Sequence, residues 1–84
     1  MSQLAATMTK GERTAARLLD CAETLFAERG YEGTSLRQVA SAAGIREPGL
    51  YNYFAGKEAL YAAVLDRALA PMAEAIRDLS LIHI

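Results

Sequence analysis

The chain has a single cysteine, Cys21, and only two prolines in 84 residues. One cysteine cannot close an internal disulfide. That excludes a disulfide-stapled secreted scaffold and makes a reducing compartment, the cytoplasm, the expected one. Scarce proline beside an apolar share of 52% excludes a low-complexity disordered chain. No apolar run approaches the roughly 20 residues of a membrane span. Residues 1–17 carry Lys10, Arg13 and Arg17 but lack the apolar stretch of a secretion signal, so no membrane partner is expected. Strand-like alternation and internal repeats are also missing. So are the parts of an enzyme: there is no nucleophile–base pair, no metal-spaced ligand cluster and no phosphate-cradling glycine loop. No catalytic residue, metal or cofactor is expected.

What remains is an all-α chain long enough to bury one modest core. The net charge of −1 argues against a nucleic-acid partner when taken as a sum. Attraction to phosphate is local, however, fading over about 8 to 10 Å at ordinary salt, so distribution matters more. From Thr34 to Lys57 the cations Arg37, Arg46 and Lys57 face one carboxylate, Glu47. Near the start, Lys10, Arg13 and Arg17 face Glu12. Acidic residues gather elsewhere, at Asp20, Glu23, Glu28, Glu32, Asp66, Glu74 and Asp78.

Residues 1–9 show no periodicity and read as a mobile arm. Ala15, Leu18, Leu19, Ala22, Leu25 and Phe26 then recur at helical spacing, and Gly30 after Arg29 closes this first helix. Thr34 and Ser35 can each cap the next, with Ser35 and Gln38 at capping-box spacing. Leu36, Val39, Ala40 and Ala43 fall at i, i+3, i+4 and i+7 and give it a narrow apolar stripe, ended by Gly44. Ile45 anchors a turn, and Pro48 suits the first turn of a third helix from about Glu47 to Phe54, held by Leu50 and Phe54. A fourth helix opens at Lys57 and runs with Leu60, Val64, Leu65, Ala68, Leu69, Met72 and Ile76 in register. Pro71 is expected to kink or restart it.

Two short helices joined by a glycine-containing turn are the layout of a helix-turn-helix. With Leu50 and Phe54 toward the core, a helical wheel puts Pro48, Gly49 and Asn52 on the far side, flanked by Tyr51 and Tyr53. A thin polar face of this kind suits a groove about 12 Å wide. Asn52 reads as a bidentate partner for adenine or, alternatively, as a plain solvated residue. Tyr51 and Tyr53 read as phosphate contacts that fix register, or as ordinary surface aromatics. Thr34 and Ser35 mark a helix N-terminus that favours a phosphate, and Lys57 repeats that logic. Arg37 and Gln38 are solvent-side candidates.

The run through Gly30-Tyr31, Thr34-Ser35, Val39-Ala40, Ala43-Gly44-Ile45, Leu50-Tyr51, Tyr53-Phe54 and Lys57-Glu58 resembles the N-terminal signature of the TetR family of regulators. The resemblance covers about residues 10–70 and implies a homeodomain-like helical bundle. It also implies a homodimer, usually a repressor, that binds a palindromic operator on double-stranded DNA and releases it when a small-molecule inducer fills a separate domain. By position, the resemblance places phosphate contacts on Thr34, Tyr51, Tyr53 and Lys57, and recognition-helix contacts on Arg46, Glu47, Pro48, Gly49 and Asn52.

Two departures from the family pattern stand out. The first is Arg46, at a position where the family commonly has a capping serine or threonine; Glu47 beside it would repel phosphate unless it accepts from cytosine, pairs with Arg46, or serves the helix N-terminus. The second is that the family's ligand-binding and dimerisation domain is not in the sequence: residues 71–84 read as the cut start of a C-terminal domain or a non-native tail, closing on the apolar Leu79-Ser80-Leu81-Ile82-His83-Ile84. The competing reading is a helical protein-interaction module that does not bind DNA. Cys21 reads as a packing residue and His83 as inert.

Overall fold

The computed structural model describes residues 8–83, with side chains over 8–71. Among the described residues all regular structure is helical: α1 spans Lys10–Arg29, α2 Leu36–Ala42, α3 Glu47–Leu50 and α4 Lys57–His83. No helix there is long and apolar enough to cross a membrane.

Helix α1 starts from a capping box: the Thr9 hydroxyl accepts from the Glu12 N–H, and the Glu12 carboxylate accepts from the Thr9 N–H. The carbonyl of Met8 accepts from the Arg13 guanidinium at 2.8 Å. Thr9 therefore belongs to α1, and the arm expected over 1–9 falls, save for its last two residues, outside the described part. At the other end Gly30 adopts φ 78° and ψ 170°, a glycine-favouring conformation outside the left-handed helical region. Its N–H closes the helix on the Phe26 carbonyl.

Helix α1 packs on both α2 and α4, while α3 packs on α2. The shared core is Leu18, Ala22 and Phe26 from α1, Val39, Ala40 and Ala43 in and just after α2, Leu50 from α3, and Leu60 and Val64 from α4. Leu36, Ile45 and Phe54 line its edge half-buried. Burying a side chain such as Leu18 or Leu60 contributes about 1.5–3 kcal/mol each. Of the apolar register expected of α4, Leu60 and Val64 are buried while Leu65 and Leu69 lie 42% and 51% exposed, and the side chains of Met72 and Ile76 lie outside the described ones.

Two sequence expectations are narrowed here. Of the kink or restart expected at Pro71 the restart does not occur: helix α4 runs on through it, although that proline has no N–H to give the carbonyl of Arg67. Helix α3 is also much shorter than Glu47–Phe54.

Candidate nucleic-acid interface

Helix α2 ends in a Schellman arrangement: the Ile45 N–H donates to the Ala40 carbonyl at 2.9 Å, and the Gly44 N–H to Ser41 at 3.1 Å. Gly44 takes φ 82°, which a side chain disfavours. The Ala43 carbonyl accepts from Arg17 of α1 at 3.3 Å. This turn aims α3, whose N-cap, Arg46, makes no side-chain capping bond; the lost serine or threonine cap is not replaced.

One turn later the regular helix stops at Leu50, which is 0% exposed. Asn52 and Tyr53 donate to carbonyls three residues back, Gly49 and Leu50, so the segment tightens into 3₁₀-like turns before Phe54 rejoins the core. Tertiary anchors at Leu50 and Phe54, not helix propensity, hold this segment, which corrects the expected α-helix to Phe54.

Arg46, Pro48, Tyr51, Asn52 and Tyr53 are exposed, and Glu47 and Gly49 half-buried. A Cβ placed on Gly49 would meet only the Ile45 Cδ1, at an ordinary 3.9 Å, so the fold itself makes no demand for glycine there. The Tyr51 hydroxyl donates to the Glu47 carboxylate at 3.2 Å. Desolvation, then this hydrogen bond and the Glu47 charge, raise the Tyr51 pKa above its ordinary value. Among the described residues Glu47 is thus partnered by Tyr51 and not by Arg46. The Tyr53 ring reaches toward the first turn of α1, its Cε1 3.8 Å from where a Cβ on Gly11 would stand.

Beside α3, a shallow hollow is lined by Arg37, Ser41, Gly44, Arg46 and Glu47. Neither arginine has a carboxylate in ion-pairing range among the described residues. Ser35 caps α2 in a reciprocal box with Gln38: the Ser35 Oγ accepts from the Gln38 N–H, and the Gln38 Oε1 from the Ser35 N–H. The Ser35 hydroxyl and the Gln38 amide keep their own donor hydrogens. Lys57 opens α4 with its Nζ 4.3 Å from the centre of the Tyr31 ring.

Thr34 corrects the sequence reading. It is 2% exposed, and its hydroxyl bonds inward, 3.1 Å from the Leu25 carbonyl and 2.9 Å from that of Gly30. Its side chain ties the end of α1 and is closed to a phosphate. Of two adjacent hydroxyls, Ser35 took the cap and Thr34 the interior.

Several contacts escaped sequence reasoning. Thr9 and Glu12 stand at capping-box spacing and could have been read locally. Arg17 on Ala43, and Arg67 bridging Asp20 and Glu23 at 2.9 and 2.6 Å, join residues too far apart to leave a local signal.

Comparison with known proteins agrees with this geometry. The family described as bacterial regulatory proteins, tetR family, matches residues 18–64, more than half of the chain. The HTH-type transcriptional repressor KstR2 of Rhodococcus jostii (strain RHA1) is 49% identical over 55 residues, covering 66% of this chain and 26% of that protein. The HTH-type transcriptional repressor ComR of Escherichia coli (strain K12) is 51% identical over 49 residues, 58% of this chain and 23% of that protein. The chain thus spans about a quarter of the length of these curated relatives. A crystal structure of a TetR-family transcriptional regulator from Mesorhizobium loti MAFF303099 superposes with a TM-score of 0.74 at 25% identity, over 89% of this chain and 37% of that one. These relatives are regulators of transcription, not enzymes.

Proposed function

Because the chain belongs to the tetR family of bacterial regulatory proteins, we propose that it is the sequence-specific DNA-binding part, about residues 10–70, of a ligand-responsive transcription regulator. The observation that carries this reading is the segment from Arg46 to Tyr53. Leu50 is its one buried side chain, Phe54 anchors it just beyond, and it turns to solvent a thin polar edge and an arginine, Arg46, that forms no ion pair among the described residues.

Entering the major groove, Pro48 and Gly49 allow close approach to base edges. Asn52 supplies the bidentate donor–acceptor pair that fits adenine, and Arg46 can reach guanine. Glu47, steadied by the Tyr51 hydroxyl, points an acceptor suited to the amino group of cytosine. Ser35, Arg37, Gln38, Tyr53 and Lys57 then lie where phosphates of the groove walls run, fixing register without reading sequence. Tyr51 joins them once its hydroxyl leaves Glu47.

In the whole protein, a homodimer would place two such segments on a palindromic operator in the bacterial cytoplasm. A small-molecule inducer held by a further helical domain, reached through residues 71–84, would control release. Repression is the direction favoured, since both curated relatives above are repressors by name.

The test is binding of the full chain to a randomised duplex library across a salt series. Enriched inverted repeats and a log–log slope near −0.9 per phosphate neutralised are expected. Asn52→Ala should relax one position in each half-site, and Lys57→Ala should weaken all sequences alike. A salt-indifferent interaction with no enriched sequence would favour a protein-interaction module instead.

A further inference from the structure

We propose that Tyr31 is a positioning residue for this interface, its ring holding the Lys57 ammonium in place to meet a DNA phosphate; the inference rests on the DNA-binding reading above. Lysine is a point charge on a flexible four-carbon stem, and ordering it at the moment of binding costs affinity. A group that holds it beforehand lowers that cost. The face of an aromatic ring within about 6 Å attracts an ammonium through the ring quadrupole, and the Lys57 Nζ stands 4.3 Å over Tyr31.

The ring can serve as a fixed support because it is itself held from two helices. Tyr31 stacks on Phe26 of α1 with centroids 5.9 Å apart, and Tyr61 of α4 meets it edge-on at 5.0 Å. Tyr61 also meets Phe26 edge-on at 4.9 Å, which closes a three-ring cluster whose deepest member, Phe26, is buried.

The choice of an aromatic support has an electrostatic consequence. A carboxylate at the same place would steady Lys57 but cancel its charge and repel phosphate, whereas a neutral ring steadies it and leaves the charge intact. Among the described residues Lys57 has no carboxylate in ion-pairing range. Desolvation, followed by the nearby Glu58 and Glu32 charges, raises the Tyr31 pKa, so the phenol stays neutral at the pH of any binding experiment.

A double-mutant cycle on the full chain tests this, using a mixed-sequence duplex and reading affinity and salt slope. Lys57→Ala should weaken binding severalfold and lower the slope by about 0.9. Tyr31→Phe, which keeps the ring, should bind like the parent. Tyr31→Leu should weaken binding severalfold when Lys57 is present and have no effect in the Lys57→Ala background. Fluorinated phenylalanines at position 31 drain the quadrupole without changing shape, and affinity should fall stepwise with them only while Lys57 is there. That series decides the matter even if Tyr31→Leu does not fold. Equal losses in both backgrounds would mean that Tyr31 acts only through the fold, and no loss in either that Lys57 needs no support; both overturn the inference and leave DNA binding standing. A parent chain without salt-dependent binding would overturn the DNA-binding reading and this inference with it.

Discussion

The α1–α4 side of the molecule and its α2–α3 edge are built on opposite principles. On the first, a core is closed and an arginine is paired: Leu18, Leu60 and Val64 are buried, though Leu65 and Leu69 stay exposed, and Arg67 spans Asp20 and Glu23. On the second, one buried leucine holds a single helical turn, and Arg37 and Arg46 form no ion pair among the described residues, the nearby Glu47 being bonded by Tyr51. An acidic chain can therefore present a basic edge, because part of its negative charge is tied up with Arg67. Local pairing decides what a partner meets, and net charge does not.

The two sides should come apart most sharply at Leu50, the only fully buried residue of α3. Leu50→Ala removes its anchor and should cost about 2–5 kcal/mol, measured by denaturant unfolding. In a domain of this size that is a large share of the total. A loss below about 1 kcal/mol would mean that α3 is held by something besides its leucine.

Thr34 sharpens the comparison next, since it lies beside the edge yet works for the scaffold. Thr34→Val keeps the shape and strips the carbonyls of Leu25 and Gly30 of their hydroxyl donor. Unfolding should become easier by about 1–3 kcal/mol, while the fraction that stays folded binds DNA as before. A variant of unchanged stability but weakened DNA binding would restore Thr34 to the phosphate set.

These residues also mark how much could be read beforehand. The spans of α1 and α2 follow from apolar periodicity and from Gly30 and Gly44, and the stripe at Val39, Ala40 and Ala43 packs inward as spaced. Local pattern could not say which of Thr34 and Ser35 faces in, because both carry a capping hydroxyl. It missed why residue 33 is glycine: a Cβ there would collide with the Arg29 carbonyl. It overextended α3, because a wheel drawn at 100° per residue assumes the helical pitch that the chain abandons after Leu50. The exposed residues Arg46, Pro48, Asn52 and Tyr53 were legible, being polar or small between two anchors. The Glu47–Tyr51 bond, four residues apart, was within reach of the same reasoning.

Two glycines give a smaller and more discriminating contrast. Gly44 at φ 82° has open space for a Cβ, so Gly44→Ala should cost only backbone strain, about 1–2 kcal/mol. Gly49 sits in a helix with room to spare, and Gly49→Ala should leave stability unchanged or raise it by about 0.5–1 kcal/mol. Its DNA affinity should nevertheless fall, because the added methyl stands on the face proposed to meet the bases. Thermal unfolding paired with a binding titration separates the two, and an alanine at 49 that binds as tightly as glycine would remove the close-approach argument.

The smallest effect belongs to Arg67. Its two contacts are short, but they lie at the surface, with the arginine side chain 37% exposed and its partners 72% and 53%. The hydrogen bonds that Arg67 donates to Glu23 and Asp20, with the charges of those carboxylates, raise its pKa against an opposing desolvation, so the guanidinium is charged at every working pH and no pH dependence arises from it. Solvent screening limits such a pair to about 0.2–1 kcal/mol. Arg67→Ala should therefore shift the unfolding midpoint only slightly, and the difference from the parent should shrink in 1 M salt, where the Debye length falls to about 3 Å. The sharper readout is electrostatic. Freeing Asp20 and Glu23 should weaken DNA binding at low salt more than it weakens the fold, if pairing on the scaffold keeps the edge basic. Unaltered affinity at low salt would show that these carboxylates lie too far from the duplex to matter, and the basic edge would then rest on Arg37, Arg46 and Lys57 alone.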